Sequence, residues 1–591
     1  MHSFSSKGGD GLKVIGQFLK PYKLAAVIAI IFMLAELAVE LFQPLLMAQI
    51  INEGVMKENL HIVIVWGSVM ILFSILAFIA GIANTFYASH VSQSFSYDMR
   101  KTLFKRVQSL SYSQFTIFPK GSLMTRLTND VQQLQVTVFM VLRIMLRAPL
   151  LIIGGLVMAF IVHPSLAMFL GVVVPLLFVF VVNLFNKGGK MFKTVQQRLD
   201  QVNNVMSENL AGMKLIRAFR RSDYEINRFE EVNKQLKERT ASVLRFMEVT
   251  MPALLLLMNM TVICILWFGN KEIMVGTANV GEVVAIVNYS TRITSALSMF
   301  SFLIVIFSRS KASASRIEEV LETPADMSDT ANDEQIKQIN GEVTFENVGF
   351  YYQDETRWAL KNVSFSVKPG QTLAILGATG SGKTTVMHLI PRLYDTCEGK
   401  VLIDGVNVKD YNQDFLRKQI GIVPQEALLF TGTIRENILW GKHDATDSEI
   451  QAACEHAQIA ETIKELPEQL DTLIGQRGVN LSGGQRQRLT IARALIRKPS
   501  VLLLDDSTSA LDSKTEQKLL KALASYNGTK IMVTQKISTA LHADRIMLLL
   551  NGEKVAEGTH EELQRHSSLY RDIITSQLEG RRESNVMETT K

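Results

Sequence analysis

Cysteine is nearly absent: Cys264, Cys397 and Cys454 are the only three in 591 residues, and they lie far apart. That spacing excludes a disulfide framework and offers no metal-ligand pattern, which leaves buried or free thiols. Charge is thin as well. Only 20% of residues are charged, and a net charge of +6 over this length gives no reason to expect a nucleic-acid partner. The N-terminal stretch MHSFSSKGGDGLKVIGQFLKPYK lacks a compact apolar core followed by a small-residue cleavage site, so no cleaved signal peptide is expected. Apolar residues, by contrast, make up 47% of the chain and the mean hydropathy is positive. A chain this long is expected to form at least two domains.

The apolar residues are concentrated in the first half. Stretches at roughly 24–47, 62–86, 137–161, 165–186, 248–269 and 280–306 are each long enough to cross the ~30 Å hydrocarbon layer as a helix. Six such runs would leave a soluble domain too little polar surface. The connections set an orientation. Those between stretches 1 and 2 and between 5 and 6 are short, with Lys57 and Lys271 as their strong positive charges, and His163-Pro164 joins 3 to 4. Those after stretches 2 and 4 are long, helical in pattern and basic: Arg100, Lys101, Lys105, Arg106, Lys120 and Arg126, then Lys187 through Arg239. By the positive-inside tendency these connections, both termini and everything after stretch 6 are expected in the cytoplasm. A membrane domain over 1–321, a polar linker over 322–341, an α/β domain over 342–578 and a polar tail over 579–591 are expected.

Within the second half, GATGSGKT (Gly377, Ala378, Thr379, Gly380, Ser381, Gly382, Lys383, Thr384) fits G-x-x-x-x-G-K-[ST]. The strand-like TLAIL precedes it and the helical pattern TTVMHLIPRL, beginning with Thr384 and Thr385, follows. Glycines allow backbone N–H groups to turn toward phosphate oxygens, and the helix N-terminus adds positive potential. Lys383 is expected to reach the β- and γ-phosphates, and the Thr384 hydroxyl to ligate Mg²⁺. Asp505, at the end of the apolar run VLLLD, is the matching metal-side carboxylate. The cofactors implied are ATP and Mg²⁺.

With these motifs in place the sequence resembles ATP-binding cassette (ABC) proteins. LSGGQ, Leu481 to Gln485, is similar to that family's signature. Gln425 in VPQE matches its metal-contacting glutamine, Tyr352 its adenine-stacking aromatic, and SALD, Ser509 to Asp512, its D-loop. Six spans ahead of one cassette resemble a half-transporter of the exporter type. The resemblance implies a six-helix transmembrane domain fused to an α/β P-loop nucleotide-binding domain. It also implies head-to-tail cassettes, in which Ser482, Gly483, Gly484 and Gln485 complete the partner's ATP site. Segments near 113–126 and 208–220 match the loop tips that press on the cassettes.

Two positions depart from the family pattern. Active members carry Glu directly after the metal-side Asp; here it is Asp506, one methylene shorter, which draws the carboxylate back by roughly 1.5 Å. Gln535 stands where the family has a His at the γ-phosphate. In the segment before LSGGQ, Gln476 also replaces a common Glu. Together they resemble the impaired-site subunit of bacterial heterodimeric multidrug exporters. The partner expected is a second, non-identical half-transporter with Glu and His intact; a homodimer would carry Asp506 and Gln535 twice. The expected activity is ATP-driven export of an amphipathic, drug-like compound across the cell membrane. A lipid or peptide exporter and a cassette-gated channel or sensor are the alternatives, and a soluble cassette acting on nucleic acid is set aside by the six spans. Glu36 and Glu40, four apart in stretch 1, share one helix face. They are candidates for a substrate cavity that attracts cations, or for a structural pair satisfied by neighbouring helices.

Overall fold

Inside a bilayer every backbone N–H and C=O must find a partner within its own segment, so apolar stretches of this length have to be helical. The computed structural model describes residues 11–324, 338–352 and 357–577. Most of the expected linker (residues 325–337), the start of the N-terminal stretch (residues 1–10) and the expected tail 579–591 lie outside the described residues. The chain divides into two compact units: Met1–Ser109 with Pro119–Pro324, and Leu110–Phe118 with Ala325–Lys591.

The first unit is helical. Among the described residues, five helical runs are long and apolar enough to cross a membrane: Ile15–Val55, Leu60–Gln108, Lys120–Val162, Pro164–Ala211 and Ser222–Val275. The sixth expected stretch lies in the helix Val280–Glu322, whose first half interleaves Asn288, Ser290, Thr291, Arg292 and Thr294 with its apolar residues. The 49-residue helix Leu60–Gln108 extends for about 74 Å, well beyond the hydrocarbon layer. Large apolar side chains stand exposed along these helices, among them Ile71, Phe78, Phe86, Val157, Ile161, Val172 and Trp267. Such a surface needs lipid rather than water against it. Buried polar groups cross-link the helices. Asn84 Nδ2 donates to the carbonyls of Ala29 (2.7 Å) and Leu142 (3.3 Å), and the Tyr289 hydroxyl donates to Leu41 O (2.7 Å). Left unpaired in an apolar setting, each such group would cost roughly 2–7 kcal/mol.

In the second unit the strands are β1 (Val343–Phe350), β2 (Leu360–Val367), β3 (Thr372–Leu376), β4 (Glu398–Ile403), β5 (Val406–Asn407), β6 (Ile420–Val423), β7 (Gly432–Thr433), β8 (Leu473–Ile474), β9 (Val501–Asp505), β10 (Thr529–Thr534), β11 (Arg545–Leu550) and β12 (Glu553–Gly558). The central sheet has the order β12-β11-β3-β10-β9-β6, parallel except for β12, and a second, antiparallel sheet has the order β2-β1-β4-β5. β3, β9 and β10 are buried at every position, as parallel strands covered on both faces must be. Register then fixes the site. Leu376 pairs with Thr534 and Asp505 with Val533, so β3, β9 and β10 end together and present the residues that follow at one edge. That carboxyl edge is where open α/β sheets bind ligands.

Candidate functional site

A cavity of about 680 Å³ opens at this edge. It is lined by Tyr352, Thr379, Gly380, Gly382, Lys383, Thr384, Thr385, Gln425, Asp505, Asp506 and Gln535, all singled out from the sequence, together with Arg357, Trp358, Ala359 and Val533. The last four had no motif to announce them. Trp358 and Ala359 immediately precede β2, and Val533 is register partner to Asp505, so strand pairing is the signal that finds them.

The loop after β3 owes its path to glycine. A Cβ on Gly377 would lie 2.3 Å from Leu549 O, and one on Gly382, where φ is +96°, would lie 2.4 Å from Ala359 O. Gly377, Ala378 and Ser381 sit behind the cavity wall. There the carbonyls of Gly377 (2.9 Å) and Ala378 (2.7 Å) accept from Lys383 Nζ, with the Ser381 hydroxyl 3.5 Å away. Burial pushes the Lys383 ammonium below its ordinary range, against the pull of Asp505 and Asp506. Such a loop, leading into the helix Lys383–Leu389, has the concave shape and positive charge that a phosphate group fits.

Opposite the loop, the Thr384 hydroxyl donates to Asp505 Oδ1 at 3.4 Å. Burial raises the Asp505 carboxyl, while Thr384, His388 and Lys383 oppose the shift. Asp506 is raised by burial and by the neighbouring Asp505, against Lys536 and Lys383. Its φ of +43° is a left-handed conformation that Asp tolerates better than most residues. Thr384, Asp505 and Gln425 offer oxygen donors only, the set a hard divalent cation takes. Lys536, which follows Gln535, forms an ion pair with the buried Glu516 (3.3 Å). Gln535 is held through its carbonyl, which accepts from Gln577 Nε2 at 2.7 Å.

The Tyr352 hydroxyl lies 3.1 Å from that of Thr385, and its ring meets Tyr394 edge-on at 5.3 Å. Tyr394 in turn packs on Tyr112 at 5.5 Å. Tyr112 belongs to the segment Leu110–Phe118, which groups with this unit, so the expected loop tip 113–126 is divided at Pro119. The other expected tip, 208–220, stays with the helical unit.

Ser482, Gly483, Gly484 and Gln485 do not line the cavity. They open the helix Gly483–Leu495 through a reciprocal cap: Gln485 N donates to Ser482 Oγ (3.3 Å) and Ser482 N to Gln485 Oε1 (2.8 Å). Ser482 is exposed, so this helix terminus faces outward rather than toward its own phosphate loop. Asp512 caps the helix Ser513–Ala524, accepting from Lys514 N (3.1 Å) and Thr515 N (3.0 Å).

Family models agree with this geometry. Residues 26–297 match the ABC transporter transmembrane region, and residues 360–509 match the ABC transporter cassette. An uncharacterized ABC transporter ATP-binding protein of Bacillus subtilis, YfiB, is 56% identical over 95% of this chain and 97% of its own. The chain belongs to the ABC transporter family. A putative multidrug export ATP-binding/permease protein of the same organism, YgaD, is 31% identical over 95% of this chain and 98% of its own. The solved structure of a bacterial Atm1-family ABC exporter with ATP bound superposes with a TM-score of 0.77. It shares 24% identity over 95% of this chain and 98% of that one, and fixes the exporter-type fold. The protein is thus a multi-pass ABC transporter half with exporter architecture.

In the transporter's membrane unit, Glu36 and Glu40 share one partner on a neighbouring helix. Arg147 Nη1 meets Glu36 Oε1 at 2.8 Å, and Nη2 meets Glu40 Oε2 at 2.7 Å. Arg292 Nη1 stands 3.4 Å from Glu40 Oε1. Both carboxylates are thus neutralised within the bundle, and a cation entering beside them would meet guanidinium groups as well. Pro44 lies within the continuous helix Lys23–Gln49.

Proposed function

We propose that the chain is one half of an ATP-driven exporter whose own site binds ATP with Mg²⁺ but hydrolyses it slowly. Its LSGGQ segment completes the site of a non-identical partner that carries Glu and His at the matching positions. The observation that carries this reading is that Asp506 and Gln535 line the same cavity as an intact phosphate loop. The glycine cradle and the lysine behind it suit a triphosphate, and the oxygen set Thr384, Asp505 and Gln425 suits Mg²⁺, which when bound neutralises charge on the phosphate oxygens.

The remaining work falls to the chain's own groups. Lys383 supplies positive charge at the phosphates, and Tyr352 offers a ring face to the base. A carboxylate after Asp505 has to orient the attacking water and accept its proton. Asp506 does so from about 1.5 Å too far back, and a 1 Å misplacement costs on the order of 10²-fold. The Gln535 amide can donate a hydrogen bond, yet cannot bring the charge of an imidazolium. Binding survives both changes; turnover slows.

The basic connections support a cytoplasmic position for the cassette and both termini. The likeness to a protein named for multidrug export supports an amphipathic, drug-like cargo moved outward across the cell membrane. The test is ATPase activity of the purified chain alone and co-expressed with a half-transporter bearing Glu and His. The complex is expected to exceed the single chain by tenfold or more; robust turnover by the chain alone would overturn the reading.

A further inference from the structure

Well inside the six apolar stretches the sequence places five charged side chains, Glu36 and Glu40 against Arg143, Arg147 and Arg292, while Glu248 and Glu282 lie at stretch ends. Charge at membrane depth is costly and persists where it is paired or serves a pathway. Arg147 is committed to both carboxylates, and Arg292 divides itself between Glu40 and Gln43 Oε1, to which it donates at 2.8 Å. Arg143 has no carboxylate within ion-pair distance among the described residues. Its Nη1 donates to neutral acceptors only: Gly81 O (3.3 Å), Asn84 Oδ1 (3.2 Å) and the Thr85 hydroxyl. It sits in the π-helical turn Val141–Met145, a local widening of the kind that often marks a functional position.

A cavity of about 360 Å³ brings these groups to one surface, with Arg143, Arg147, Arg292 and Glu40 beside Leu151 and Met299. Arg143 also lines an adjoining cavity of about 670 Å³ with Phe78, Phe86 and Glu36, whose carboxylate is held by Arg147. The cluster therefore holds one positive charge in excess, next to apolar walls.

We infer that this cavity recognises an amphipathic anion, in which a carboxylate, phosphate or sulfonate head meets the excess charge at Arg143 and an apolar body lies on the walls. The inference rests on the exporter reading only in taking the occupant to be cargo. It reverses the cationic preference that Glu36 and Glu40 suggest when read without their partners. An anion gains by meeting the guanidinium groups without displacing either glutamate, whereas a cation must compete with them.

The test uses the full chain in phosphatidylcholine nanodiscs without nucleotide, titrated with three fluorescent probes on one apolar body: pyrenebutyrate, pyrenebutanol and pyrenebutyltrimethylammonium. Pyrenebutyrate is expected to bind about tenfold or more tighter than the cation, a preference one nearby charge can supply. Arg143→Gln should bring the ratio close to one with pyrenebutanol binding unchanged, and Arg143→Lys should restore it. Glu40→Gln should widen it, a direction no loss of packing would produce. In phosphatidylglycerol discs, an anionic lipid headgroup at the site would erase the Arg143 dependence, whereas a solute site would keep it; both are anion sites. A wild-type ratio of one or below overturns the proposal, as does no binding of any probe or a ratio unmoved by both Arg143→Gln and Glu40→Gln. Since no turnover is needed, failure here leaves the ATPase reading standing, and failure of that reading leaves the charge preference standing.

Discussion

The nucleotide cavity and the membrane cavity both gather charge away from bulk water, and they are built by different means. In the cassette the charged groups are near neighbours of strand ends. Asp505 ends β9 and Asp506 follows it, Lys383 follows β3 and Gln535 follows β10, and parallel register brings them to one edge. In the membrane unit the charges come from helices far apart in sequence: Glu36 meets Arg147, and Glu40 meets both Arg147 and Arg292. A strand register is set by many backbone bonds, so a single side-chain change leaves the cassette edge in place. The membrane cluster is held by the side chains themselves, so each one is both architecture and potential. Substitutions in the first region should change chemistry and spare the fold; in the second they should change both.

The largest expected effect lies in the division of labour between nucleotide sites. In the complex, Glu→Gln at the partner's catalytic position is expected to lower ATPase activity by about 10²-fold or more, while Asp506→Asn should change it less than about twofold. Ser482→Arg should act like the partner's change, because the capped helix terminus faces outward. Steady-state ATPase assays of the reconstituted complex decide this. If Asp506→Asn abolished turnover and the partner's change did not, the assignment of working and supporting sites would be reversed.

Next comes the cluster's architecture. Arg147→Met strands Glu36 and leaves Glu40 to Arg292 alone, and is expected to destabilise the membrane unit by roughly 3–5 kcal/mol, the usual cost of breaking one side of a buried pair. Neutralising all three, Arg147→Met with Glu36→Gln and Glu40→Gln, should recover most of that loss. Thermal aggregation in nanodiscs reads both. A triple variant no better than the single one would mean that packing, not charge, governs the site.

The contrast also explains what could be read in advance. Phosphate-loop, LSGGQ and strand-end residues were legible because their chemistry demands fixed residue types in fixed order, and local chain geometry does most of the positioning. Glu36 and Glu40 were legible as a helix face, but their meaning was not. Arg143 and Arg147, also four apart, carry the same signal in the third stretch, and a search for matching faces would have paired them. Arg292 had no such spacing; only packing brings it in. Trp358 was hidden for another reason: a tryptophan just before a strand looks the same whether it packs on the sheet or lines a cavity.

A smaller effect sharpens the account of the impaired site. With the partner's catalytic Glu changed to Gln, Asp506→Glu together with Gln535→His should raise ATPase activity about tenfold over either single change, since the two act on one water and one phosphate. Asp506→Glu alone should give little, because the γ-phosphate contact stays incomplete. Equal recovery by either single change would remove the argument that both losses matter.

The smallest effect concerns Asp506 as a buried charge. Its carboxyl is raised by burial and by Asp505, so the folded state prefers the protonated form more than the unfolded chain does. The ionised carboxylate therefore weighs against folding at neutral pH. That cost fades as pH falls through the raised folded value, and it is gone below the ordinary carboxylate range, where both states are protonated. Asp506→Asn should then raise Tm in nucleotide- and Mg²⁺-free protein at pH 7.5, with a gain that shrinks toward zero as pH approaches 4. Solvent reaches the group and Lys536 partly compensates it, so the gain should stay below about 1 kcal/mol, no more than about 2 °C. Differential scanning fluorimetry across this range checks both sign and slope. A lower Tm at pH 7.5, or a difference constant with pH, would mean that the carboxylate is satisfied where it stands and that its short reach, not its burial, is its share of what separates this site from a working one.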